Sequence, residues 1–130
     1  MNLPEDIPED RDQDPETQRA QYDFKMGFRF LSQIVHRTAM SKGWWDSDRN
    51  DGEMLCLIHS EVSEALEALR NGNPPDDKIP QFSGVEAELA DVVIRIMDLS
   101  CARGWDVAGA VTAKMEMNKG RERFHGGKKF

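Results

Sequence analysis

Two pairs of carboxylates carry the most chemistry in this chain. Glu61-Val-Ser-Glu64 lies in one apolar-periodic segment and Glu88-Leu-Ala-Asp91 lies in the next. Acidic side chains three residues apart are neighbours on one face of a helix. Four carboxylates on two adjacent helices make an oxygen-rich site suited to a hard divalent cation, Mg²⁺ or in its place Mn²⁺. An apolar interior does not tolerate that much negative charge unless a metal or basic groups compensate it. Glu-x-x-Glu on a solvated helix is only a charged face. Here both pairs border apolar stripes rather than lying opposite them, which favours the metal-site reading.

The elements that would position these residues are all helical. A first helix starts at Asp14-Pro15, an N-cap followed by Pro at the first helical position. Its apolar face runs through Phe24, Phe28, Leu31, Ile34 and Val35, and it stops near Lys42-Gly43. A loop covers Trp44 to Gly52. The second helix runs from about Asp51 to Arg70, with Leu55, Ile58, Val62, Ala65, Leu66 and Leu69 as its core stripe. Glu61 falls on the edge of that stripe and Glu64 just beyond it. Asn71-Gly-Asn-Pro-Pro ends the helix.

The third helix opens with a capping box, Ser83-Gly-Val-Glu86, which gives Glu86 a structural role and turns it away from Glu88 and Asp91. This helix is apolar on two sides. Leu89, Val92, Ile96 and Leu99 form one side, and Ala90, Val93, Ile94 and Met97 the other. Only Glu88, Asp91, Arg95 and Asp98 make a polar edge. A helix apolar on two faces is buried centrally or shared between subunits, so a homodimer or homotetramer is expected. A fourth helix starts at an Asp106 N-cap and frays at Gly120. No strand-like alternation and no repeat is visible. The expected class is all-α, a bundle of about four helices spanning 15–130. Residues 1–14, rich in Asp, Glu and Pro, form an acidic leader expected to be disordered and dispensable for catalysis.

Other residues form a second constellation. Lys114, Asn118 and Arg121 stand at i, i+4 and i+7, so they share a helical face able to neutralise an anion. The bland reading is a solvated basic C-terminus. Trp44 and Trp45 are adjacent on a loop, where either could stack on a base or cap the core. His36 and His59 lie in helices and read as structural, whereas His125 lies in the basic tail. Two decoys fail. Asp46-x-Asp48-x-Asn50-Asp51-Gly52 has its Gly one place late for an EF-hand, and its twelfth position is Leu57. A di-iron bundle needs two Glu-x-x-His motifs, and the single one here, Glu122-x-x-His125, is in the tail.

Taken together, these motifs resemble those of the MazG-like nucleoside triphosphate pyrophosphohydrolases, in the all-α NTP pyrophosphatase superfamily. Glu61-x-x-Glu64 followed by Glu88-x-x-Asp91 is similar to the family's paired acidic signature. Lys114-x-x-x-Asn118-x-x-Arg121 is similar to its triphosphate-contacting segment. Gly43-Trp44-Trp45-Asp46 and His125-Gly126-Gly127-Lys128 resemble features of its short, stand-alone members. The resemblance covers roughly residues 20–130; the acidic leader has no counterpart in it. It implies Mg²⁺-dependent hydrolysis of a (deoxy)nucleoside triphosphate to the monophosphate and pyrophosphate, for nucleotide-pool control or cleansing. Glu61, Glu64, Glu88 and Asp91 would hold the metal, and Glu61 or Glu64 would orient or deprotonate the water. Lys114, Asn118, Arg121, His125, Lys128, Trp44 and Trp45 would bind substrate. The alternatives are a nucleotide-binding or regulatory helical module without turnover, and a helical interaction domain whose carboxylates only solvate a surface.

Composition narrows the classes further. At 130 residues the chain suits one domain, and its net charge of −7 argues against general affinity for nucleic acid duplexes. No run of about 18 apolar residues is present, so no membrane span is expected. The first residues lack the basic-then-apolar pattern of a signal peptide, which points to the cytoplasm. Cys56 and Cys101 fall in apolar helical segments and read as reduced core residues rather than a disulfide framework.

Overall fold

A computed structural model describes residues 15–120. It contains four helices in the order α1 (Pro15–Ser41), α2 (Asp51–Arg70), α3 (Gly84–Arg103) and α4 (Val107–Lys119). No strand occurs among the described residues, only an isolated bridge between Pro75 and Ser83. The described residues are all-α, as the periodicity predicts. No described helix is long and apolar enough to cross a membrane. The acidic leader lies outside the described residues.

Local chemistry sets the helix ends. The Asn50 side chain accepts a hydrogen bond from the Glu53 N–H at 3.2 Å and starts α2. The capping box expected at α3 is present: the Ser83 hydroxyl accepts from the Glu86 N–H, and the Glu86 carboxylate accepts from the Ser83 N–H at 3.1 Å. Asp106 caps α4 by accepting from the Gly109 N–H. Gly104, at φ 68°, closes α3 in the left-handed conformation that a side chain disfavours.

The described residues group into two packing units. Phe30–Trp105 forms one unit, in which α2 and α3 pack closely together. They run antiparallel, joined by the loop of residues 71–83. Near that loop Gly84 approaches so closely that an added Cβ would lie 3.1 Å from the Ala68 Cβ. At the opposite end, Arg103 donates to the Asp51 carboxylate at 2.7 Å and to the Arg49 carbonyl at 2.6 Å, tying the last turn of α3 to the start of α2. The other unit contains the first half of α1 and all of α4. Within it, Arg29 pairs with Asp106 at 2.9 Å and Gln21 donates to Glu116 at 3.3 Å.

The core is narrower than the apolar pattern predicts. Met54, Ala65, Ala87 and Leu99 are its buried apolar members in the α2–α3 unit. Leu55, Val62, Leu66 and Leu69, expected in the α2 core stripe, stay about half exposed, Leu66 at 51%. On α3, Leu89 and Val93 are exposed as well. The reason is geometric: α2 meets α3 along its Met54–Glu61–Ala65 line, which leaves the neighbouring apolar line of the stripe exposed among the described residues. Cys56 is exposed, contrary to its core assignment, because it lies off the Met54–Glu61–Ala65 line that meets α3; Cys101 is half-buried, and both thiols are free.

The polar interior of this unit centres on Asp98, itself buried. Its carboxylate accepts from His36 Nδ1 at 2.7 Å and from the Trp45 indole N–H at 3.0 and 3.1 Å. It thereby joins α1, the α1–α2 loop and α3. Removing a buried acceptor leaves its donors unsatisfied. Asp98→Ala is expected to destabilise the protein by about 2–4 kcal/mol. Denaturant unfolding measures this, and a loss below about 0.5 kcal/mol would contradict the anchoring role.

Candidate metal centre

Glu61 and Glu64 stand one turn apart on α2, and Glu88 and Asp91 one turn apart on α3. The packing brings three of the four into a tight group. Carboxylate oxygens of Glu61, Glu88 and Asp91 lie within 4.8 Å of one another. Glu61 is buried, Glu88 half-buried and Asp91 exposed. Glu64 is exposed and stands outside the three-oxygen set. It is nonetheless near enough to bear on the ionisation of Glu61 and Glu88.

The electrostatics follow from this crowding. Burial first, and then the neighbouring carboxyls of Glu61 and Glu64, push the Glu88 carboxyl up to about 7. Burial also raises Asp91, helped by the charge of Glu61. Glu61 moves the other way. Although burial opposes ionisation, the Arg95 guanidinium and hydrogen bonds from Glu88 and Glu64 together hold its carboxyl below the usual value. Arg95 Nε donates to Glu61 at 2.9 Å. Glu88 Oε2 is buried and has no hydrogen-bond partner.

This donor set fits a hard divalent cation. Ligand oxygens around Mg²⁺, Mn²⁺ or Ca²⁺ stand roughly 3–5 Å apart, and carboxylates are the preferred ligands. The orphaned Glu88 oxygen is the group that a cation would satisfy.

A cavity of about 450 Å³ adjoins the carboxylates, with Glu61 and Asp91 in its wall. Ile34, Val35, Ala39, Met54 and Ile94 supply apolar lining, and Lys42, Arg49 and Arg95 supply positive charge. Trp44, half exposed, also lines it. The Arg49 and Arg95 guanidinium carbons stand 5.3 and 5.8 Å from the Trp44 ring centroid, within cation–π range. Trp45 is held differently. Its N–H binds Asp98, its ring meets His36 edge-on at 5.3 Å, and Arg103 stands 5.7 Å from its centroid. Of the adjacent pair, Trp44 is the one on the cavity wall.

Lys114 and Asn118, on α4, share a separate groove of about 320 Å³ with Val107, Ala110, Val111 and Met115. They belong to the other packing unit. Arg121, His125 and Lys128 lie outside the described residues. Four charged residues of the cavity wall were not singled out by the sequence as site residues: Lys42, Arg49, Arg95 and Asp98. A signal existed for two of them. Glu88, Asp91, Arg95 and Asp98 recur at i, i+3, i+7 and i+10, which places all four along one face of α3.

Comparison with protein-family models, curated proteins and solved structures finds no match to this chain.

The raised Glu88 carboxyl has a consequence for stability in the absence of divalent cations. Between its ordinary 4.5 and about 7, folded Glu88 keeps a proton that the unfolded chain has released. The folded state therefore binds more protons, and stability falls as pH rises through this window, then levels off. In EDTA, this contribution should lower the melting temperature from pH 5 to pH 7.5, and Glu88→Gln should flatten the slope. An unchanged slope in that variant would contradict the crowding described here.

Proposed function

We propose that the protein is a Mg²⁺-dependent pyrophosphohydrolase that converts a (deoxy)nucleoside triphosphate to its monophosphate and pyrophosphate. The observation that carries this reading is the Glu61–Glu88–Asp91 group, with its unpartnered Glu88 oxygen, at the wall of a cavity that also contains Trp44. Glu61, Glu88 and Asp91 would hold Mg²⁺, or Mn²⁺ as a substitute. A bound cation of this kind supplies Lewis acidity and neutralises phosphoryl charge.

The chain's own residues take the other tasks. Glu64, outside the three-carboxylate set but beside it, accepts the proton of the attacking water. The water oxygen bonds to the α-phosphorus, the bond to the bridging oxygen breaks, and pyrophosphate leaves. Trp44 offers an aromatic face to the base, while the apolar wall excludes water. The resemblance assigns Lys114, Asn118 and Arg121 to the outer phosphates and adds His125 and Lys128. An enzyme of this kind would act on the cytoplasmic nucleotide pool.

Glu88→Gln and Asp91→Asn are expected to lower turnover at least about 100-fold while circular dichroism stays unchanged. Glu86→Gln, which touches only the cap, should keep turnover. The products, resolved by chromatography, should be the monophosphate and pyrophosphate. Orthophosphate and a diphosphate would refute the cleavage site. Nucleotide affinity without any product would favour the binding-module alternative.

The half-exposed line of Val62, Leu66 and Leu69 supports a homodimer or homotetramer. Leaving it in water forgoes about 25 cal/mol per Å² of apolar surface, and a two-fold partner presenting the same line covers both copies. Leu66→Glu should convert the oligomer to a smaller species in light scattering. A wild-type monomer at micromolar concentration would rule this assembly out.

A further inference from the structure

We infer that Arg95 is a tethered counter-cation for the carboxylate centre, exchanged for the divalent ion when that ion binds. The inference rests on the metal reading proposed above and goes beyond it by assigning Arg95 a role. Arg95 stands one turn beyond Asp91 on α3 and donates from Nε to Glu61 at 2.9 Å, with its side chain 27% exposed. Its charge also bears on Asp91, whose carboxyl it lowers against the effects of burial and of Glu61. One guanidinium thus offsets two of the three clustered carboxyls.

The offset is incomplete. Arg95 does not reach Glu88 Oε2, which keeps no partner. A monovalent head on a fixed stem compensates one side of the group and leaves the other crowded. A divalent ion among the same oxygens would satisfy all three, but it would need Glu61 as a ligand. A guanidinium beside a dication is repelled, and Arg95 has an alternative place to stay. Its guanidinium already stands 5.8 Å from the Trp44 ring centroid on the cavity wall. Arg95 released from Glu61 remains in the cavity as an anion-binding group, so ligand phosphate meets it only when the metal is loaded. Linkage makes the two events reciprocal: whatever holds Arg95 on Glu61 weakens metal binding, and metal binding frees Arg95.

Mn²⁺ alone, titrated and followed by electron paramagnetic resonance, gives a readout independent of turnover. Arg95→Met should bind Mn²⁺ about tenfold or more tightly than wild type, because a competing charge is gone. Arg95→Lys, which keeps the charge, should stay near wild type. If Arg95 served only to orient Glu61, Arg95→Met would bind Mn²⁺ equally or more weakly, and that result overturns the exchange. In the wild-type protein, the Arg95 Nε–H resonance should shift as Mg²⁺ is added. A resonance that stays in place while Mg²⁺ saturates the site also overturns it. Wild type that binds no Mn²⁺ at all would remove the metal reading and this inference together, whereas wild-type binding without the Arg95→Met gain removes the inference alone.

Discussion

Like charge placed where two helices touch is the constraint on which the α2–α3 unit depends. Glu61 arrives from α2, and Glu88 and Asp91 arrive from α3. Three separate means moderate the repulsion. Glu61 is ionised against Arg95, Glu88 holds its proton up to about 7, and Asp91 keeps contact with solvent. None of these would be needed if the positions were apolar, and an apolar seam would pack with less cost. The local cost is one that a compensating positive charge would offset.

The cavity beside this seam depends on a second polar feature, the Asp98 anchor. Asp98 receives His36 from α1 and Trp45 from the loop that follows it. Pinning Trp45 helps position the adjacent residue, Trp44, whose ring is half exposed. Arg49 adds a further constraint, since it donates to the Trp44 carbonyl at 3.3 Å while its own carbonyl accepts from Arg103. The aromatic wall and the acidic seam are therefore positioned by the same helix, α3, through residues on one face.

What the sequence reveals is mostly what is encoded locally. Ser83 with Glu86 and Asp106 announce helix starts because the cap and its partner lie within three residues. The i, i+3 spacing within each acidic pair forecasts their shared faces for the same reason. The contacts that sequence spacing does not reveal are long-range. His36 and Trp45 meet Asp98 across 62 and 53 positions. Glu61 and Arg95 are 34 apart. Periodicity also cannot say which of two adjacent apolar lines on α2 meets α3, so Leu66 reads as core when Ala65 takes that place. The division into two packing units is invisible for a similar reason: an amphipathic face marks what seeks burial without naming its partner.

Gly84 sets a mechanical limit on the site one turn away. The two helices come together there so tightly that an added methyl group would stand 3.1 Å from the Ala68 Cβ. Glu88 lies four residues further along α3, about 6 Å up the helix axis. The loop end of the hairpin thus acts as a fulcrum. A methyl group at Gly84 would need a few tenths of an ångström of give, and whatever part of it the helices took up would change the spacing of the carboxylate oxygens although none of them had been touched. The width of the acidic seam is in this sense gauged by a hydrogen atom on a residue that has no chemistry of its own.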